Sequence, residues 1–94
     1  MSDTTTTSET TVTVGSRVGL HARPATEVAK AAGQLPAVVS ITKGDKTASD
    51  ARSVLMILAL GAEFDDEVVL RAEGEGAEES VAALAELIAT DHDA

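Results

Sequence analysis

The sequence predicts an α+β domain, an antiparallel sheet with helices laid over one face. Three observations predict it. The chain has 94 residues, enough for one domain with one modest core. Short β-branched or apolar runs alternate with helical apolar stripes in the order β-α-β-β-α-β-α. The breaks between them fall at glycines: Gly33, Gly44, Gly61 and the Gly74-Glu75-Gly76 pair.

In chain order, residues 1–10 are polar, Ser/Thr-rich and without apolar period, which predicts a disordered tail. Thr11-Val12-Thr13-Val14 alternates with period two and reads as the first strand. Gly15 to Leu20 is a loop that delivers His21. Ala25, Val28, Ala29 and Ala32 then follow the i, i+3, i+4, i+7 spacing of one helical face, so a helix is expected over 22–32, stopped by Gly33. Ala37 to Lys43 is rich in Val and Ile and reads as the second strand, with Pro36 at its start. Lys43-Gly44-Asp45-Lys46 is a turn, and Thr47 to Ser49 a short return strand. Asp50 suits the N-cap of a second helix over 51–60, ended by Gly61. Asp65-Asp66 marks a turn before a fourth strand over 67–72. Ala77, Val81, Leu84, Ala85 and Ile88 form the stripe of a third helix, with Glu78 and Glu79 near its positive end. Residues 91–94 are expected to fray as an acidic tail, so the domain spans 11–90.

Composition excludes several classes. Sixteen acidic against seven basic residues give a net charge of −9, which opposes nucleic acid and anionic membranes. No apolar run approaches the ~20 residues of a membrane span. The N-terminus lacks the basic and apolar regions of a secretory signal, so a cytoplasmic protein is expected. Without cysteine there is no disulfide or thiolate metal site. Phe64 is the only aromatic residue, so the core must be built from Val, Leu, Ile and Ala.

The stretch that carries chemistry is Gly19-Leu20-His21-Ala22-Arg23-Pro24-Ala25-Thr26. It places a histidine at the mouth of a helix. The first N–H groups of a helix lack internal partners, and the helix dipole adds partial positive charge there. Such an end accepts phosphate. Arg23 adds a planar, permanently charged fork. Pro24 tolerates the first turn but pushes Arg23 away from helical angles, which predicts some distortion. Imidazole is largely neutral, and so nucleophilic, at cytoplasmic pH. On spacing alone two readings stay open: His21 is an ordinary polar cap, or it is a nucleophile for phosphoryl groups.

The segment Gly19-Leu20-His21-Ala22-Arg23-Pro24-Ala25 resembles the active-site signature of the HPr family, the histidine-containing phosphocarriers of the sugar phosphotransferase system. Asp50-Ala51-Arg52-Ser53 followed by Val54 to Gly61 resembles the family's second-helix signature. The order of apolar segments from about Thr11 to Ile88 also fits, closest to the actinobacterial type. The resemblance implies an HPr-like open-faced β-sandwich: a four-stranded antiparallel sheet covered on one face by three helices. It implies that His21 accepts a phosphoryl group on Nδ1 from phospho-enzyme I and passes it to enzyme IIA units of sugar permeases. Arg23 would stabilise the phosphate. No cofactor and no metal are implied, and the protein would be a monomeric carrier rather than an independent enzyme. Two departures from the family stand out. Val18 occupies a position where many members carry a small polar residue, which removes one hydroxyl contact to phosphate. The approach to Ser53 is one residue longer than in familiar members.

The second helix is apolar on two faces: Ser53, Met56, Ile57 and Leu60 on one, Ala51, Val54, Leu55 and Leu58 on the other. A small helix on a sheet buries one face well, so the other should be an exposed patch for a partner, unless both are core. The resemblance places Ile57 and Leu60 in the core. It places Val54, Leu55 and Leu58 on the docking surface together with Leu20 and Ala25, and makes Ser53 a possible regulatory phosphosite. His92 lies in the acidic tail and is expected to be inert. An alternative to the sugar-linked carrier is a binding or regulatory module on the same fold, such as a nitrogen-branch paralogue. Labelling by enzyme I separates the two.

Overall fold

A computed structural model of the chain describes residues 6–91. The first five residues of the expected tail, and residues 92–94 with His92, lie outside the described residues. Four strands and three helices follow the predicted order: β1 (Thr7–Thr13), α1 (Ala22–Ala32), β2 (Val39–Lys43), β3 (Lys46–Ala48), α2 (Val54–Ala59), β4 (Glu67–Glu73) and α3 (Ala77–Ala89). The strands form one sheet in the order β1-β4-β2-β3, antiparallel throughout.

Side chains alternate across this sheet as period-two geometry requires. Val39, Ile41, Ala48, Val68, Leu70 and Ala72 point to the covered face and are buried. The opposite face is polar. There Arg71 pairs with Glu9 at 3.9 Å and Glu73 at 2.9 Å, and the hydroxyls of Thr42 and Thr47 lie 3.1 Å apart. Antiparallel sheets tolerate one wet face. α3 lies against β1 and β4, α2 approaches β3, and α1 packs on both other helices. The core is aliphatic, with Ile41, Ile57, Leu70, Leu84 and Val68 fully buried, while Phe64 sits half-exposed outside it.

Several boundaries differ from expectation. β1 begins at Thr7, so residues 7–10 belong to the sheet and not to a tail. Their alternating polar residues pair with Leu70–Glu73, whose backbone needs a partner whatever the side chains are. β2 begins at Val39 because the N–H of Ala37 donates instead to Ser80 Oγ of α3, at 3.1 Å. β3 is Lys46–Ala48, one residue earlier than predicted. Gly33 closes α1 with right-handed angles, φ −65, so its glycine freedom is not used; the left-handed stop occurs at Gly61, φ 64. At the other end of the chain, Thr90 and Asp91 do not fray. Thr90 Oγ1 donates to the Glu86 carbonyl at 2.8 Å, and Asp91 lies 3.4 Å from Arg17.

The start of α2 carries the largest correction. Asp50 is not its N-cap. The N–H of Ala51 donates to the Val39 carbonyl at 2.8 Å and that of Ser53 to the Asp50 carbonyl at 3.0 Å, so residues 50–53 are committed to a turn. Asp50 closes that turn by accepting from the N–H of Arg52 at 2.9 Å. Ser53 then caps α2, its hydroxyl accepting from the Met56 N–H at 3.2 Å.

Candidate functional site

His21 stands between two loops that the backbone fastens together. The first runs from β1 to α1. It is closed by the Gly19 N–H on the Ser16 carbonyl at 2.9 Å and anchored by the buried side chain of Leu20. The second joins α2 to β4. Its Ala62 carbonyl accepts from the Leu20 N–H at 2.8 Å. Val14, the residue after β1, exchanges 2.9 Å hydrogen bonds with Asp65 and Asp66 of the same loop. Gly19 has φ +76, and a Cβ there would come within 2.6 Å of the Ala62 carbonyl oxygen. Only glycine lets the loops approach this closely.

That closeness delivers Glu63 to His21. The imidazole Nε2 lies 3.1 Å from Glu63 Oε2, across a sequence separation of 42 residues. Glu63 is itself oriented from below: its N–H donates to Asp66 Oδ2 at 2.8 Å, and Lys43 reaches the same oxygen at 3.5 Å. The Glu63 N–H, with Lys43 beside it, holds the Asp66 carboxyl below the usual carboxylate range. His21 is partly open to solvent, its side chain 36% exposed.

His21 is the N-cap residue of α1, with extended angles and no capping bond from its side chain. The ring is therefore not spent on the helix, contrary to the polar-cap reading. The first turn holds no acidic residue. It begins with Ala22 at φ +44, a left-handed conformation that costs a residue with a Cβ about 1–3 kcal/mol. The distortion expected from Pro24 is present at this helix start, but it falls on Ala22, while Arg23, directly before the proline, lies within the helix. Pro24 and Ala25 are buried under the turn, while Arg23 is exposed beside the histidine in sequence.

The other expected site residues separate into two groups. On α2, Ile57 and Leu60 are buried, Leu55 is 80% exposed, and Val54 and Leu58 are half-buried against the core. Met56, grouped by spacing with the core face, is 42% exposed, because a six-residue helix presents only one narrow stripe to the sheet. Leu20 and Ala25, expected on the docking surface, are instead core residues, 1% and 0% exposed. Val18 is exposed at 50%. Ser53 caps α2, as described above. Glu63 was invisible to sequence reasoning. Its only local signal is an acid just past the helix stop Gly61-Ala62, and nothing in that spacing points to a histidine 42 residues away. Among the described residues no cluster of His, Asp or Glu is arranged to hold a metal ion, and no helix is long and apolar enough to cross a membrane.

Comparison with known proteins gives one consistent result. A family model described as the PTS HPr component phosphorylation site matches residues 8–90. The chain is 43% identical over 81 residues to the phosphocarrier protein HPr of Streptomyces coelicolor, covering 86% of this chain and 87% of that one. It is 39% identical over 83 residues to the phosphocarrier protein HPr of Haloferax volcanii, covering 87% and 93%. Among solved structures, a phosphocarrier protein HPr from Bacillus anthracis superposes with a TM-score of 0.82 at 32% identity, over 87% of this chain and 96% of that one.

Proposed function

The chain belongs to the PTS HPr family of phosphocarriers, and on that footing we propose that His21 is its phosphoryl acceptor. In this reading it takes the group from phospho-enzyme I in the cytoplasm, as a monomer, and hands it to enzyme IIA units of sugar permeases. The observation that carries the reading is the state of the imidazole. It sits at the open start of α1, bonded through Nε2 to Glu63 and not engaged in capping the helix. Nδ1 is then the nitrogen turned to a donor. Phosphoryl transfer asks the protein chiefly for positioning and for stabilisation of spread negative charge. The positive end of α1 and the guanidinium of Arg23 supply that charge stabilisation. Val18, 50% exposed, offers no hydroxyl to the phosphate. Leu55, with Val54 and Leu58 at its flanks, forms the apolar docking surface on α2. Leu20 and Ala25 support the site from the core.

The test is incubation with enzyme I and phosphoenolpyruvate, followed by intact mass measurement. One phosphoryl group is expected, labile in acid and stable in base, as a phosphorus–nitrogen bond requires. His21→Ala abolishes it and His92→Ala leaves it. Continued labelling of the His21→Ala protein overturns the assignment.

A further inference from the structure

We infer that Glu63 is a positioning residue for His21: its carboxylate accepts the Nε2–H, fixes that tautomer, and aims Nδ1 at the phosphoryl donor. The inference rests on the carrier reading and adds a second residue to it. A carboxylate has no proton to give at neutral pH, so the ring nitrogen 3.1 Å from it is the protonated one. The lone pair of the neutral ring is then on Nδ1. A histidine at a helix start whose other nitrogen is free can rotate about two bonds and exchange tautomers. A carboxylate partner removes both freedoms, as the acid of a Ser-His-Asp triad does for its imidazole.

A contact between two part-exposed side chains is ordinarily of little consequence for stability, and this one is no exception. What sets it apart is how it is built. Three backbone hydrogen bonds fix the Glu63 loop against the His21 segment: Leu20 to Ala62, Val14 to Asp66 and Asp65 to Val14. Each loop is also braced within itself, by the Gly19 N–H on the Ser16 carbonyl and by the Glu63 N–H on Asp66 Oδ2. The side chains meet at the end of two braced loops. The arrangement serves geometry at the ring, because the fold does not depend on it.

The carboxylate also acts during transfer. The Nδ1 lone pair forms a bond to the phosphorus of the donor's phosphohistidine, and the old phosphorus–nitrogen bond breaks with its electron pair returning to the donor ring. The Nε2 proton of His21 stays in place, so the newly phosphorylated ring carries positive charge. Glu63 faces that charge directly. In the onward step the same proton remains, and His21 leaves phosphorus as a neutral imidazole.

The test uses the full chain with Glu63→Ala and Glu63→Gln. Nitrogen-15 NMR of the neutral His21 ring should show a single Nε2–H tautomer in the wild type and a tautomer mixture in Glu63→Ala. Steady-state phosphorylation by enzyme I should lose about tenfold in kcat, the lower end of what removing a histidine's outer partner costs, with KM and melting temperature unchanged. Glu63→Gln should restore the tautomer and most of kcat, since its amide oxygen accepts the same proton. The inference is overturned if Glu63→Ala keeps the wild-type tautomer. It is equally overturned if transfer is unchanged, if only KM moves (a partner contact), or if transfer speeds up (simple repulsion of phosphate). A wild-type protein that takes no phosphoryl group, yet shows the single tautomer, defeats the carrier reading while leaving the ring geometry established.

Discussion

The N–H of Leu20 donates to the carbonyl of Ala62 at 2.8 Å, next to His21 on one side and next to Glu63 on the other. Gly19 makes it possible by adopting φ +76 with no Cβ against the Ala62 carbonyl. Gly19→Ala should therefore do two things. The strained angle and the clash should destabilise the domain by more than ~1 kcal/mol, read as a lower midpoint in urea. The separation of the loops should also perturb the amide resonances of Glu63 and the ring resonances of His21. A variant that melts like the wild type with both signals in place would mean that the loops do not need this close approach.

Ser53 tests the corrected start of α2. Its hydroxyl accepts from the Met56 N–H, and Asp50 takes no part in the cap. Ser53→Ala should cost about 1 kcal/mol in chemical unfolding. Ser53→Asp should stay near wild type, since a carboxylate caps equally well and suits the helix dipole. If the aspartate variant is as unstable as the alanine variant, the side chain at 53 is not acting as a cap.

Asp50 makes a prediction in pH. Its bonds from the Arg52 guanidinium, at 2.9 Å and 2.7 Å, and from the Arg52 N–H draw its pKa down to about 2 from an ordinary 3.8. A carboxyl lowered by folding contributes stability that is fully present above its unfolded pKa and lost as pH falls toward the folded value. The contribution should therefore fade between about pH 4 and about pH 2. Its size is small, because the pair is solvent-facing. Asp50→Asn should be less stable than wild type at pH 7, and the two curves should converge near pH 2. Parallel curves down to pH 2 would assign the Asp50 bonds no energetic role in the turn.

How far the sequence could be read follows from the range of the interactions concerned. Periodicity is local, and it located α1 to the residue and all four strands in order. Spacing put Ile57 and Leu60 on one face without saying whether that face is core; the family resemblance placed them in the core, where both are buried. The misplaced features depend on partners distant in sequence. The N–H of Ala51 is taken by Val39, which moves the cap of α2 from Asp50 to Ser53. The strand partner of Thr7–Thr10 is β4, more than fifty residues on, and no polar tail announces it. Leu20 was assigned to a surface by resemblance, yet the loop uses it as an anchor. Glu63 meets His21 across 42 residues, on a loop held by its own hydrogen bonds, and a one-dimensional pattern holds no trace of that meeting.

The two faces of the second helix make opposite predictions, which separates a docking surface from a core. Leu55 is 80% exposed and Ile57 fully buried, two residues apart on one short helix. Leu55→Glu removes no core contact, so its stability should stay within ~0.5 kcal/mol of wild type. A charge placed at the centre of a desolvated interface is expensive, so the same variant should accept phosphate poorly from enzyme I, chiefly through a raised KM. Ile57→Glu buries an unpaired carboxylate among aliphatic side chains and should cost at least ~4 kcal/mol, the exceptional end of single substitutions. Circular dichroism melts and steady-state phosphorylation of both variants decide the matter. A folded Leu55→Glu protein that is phosphorylated at the normal rate removes α2 from the docking surface, and the partner must then approach His21 from the other side of α1. A folded Ile57→Glu protein would contradict the packing of the domain itself, because Ile57 is fully buried in the core.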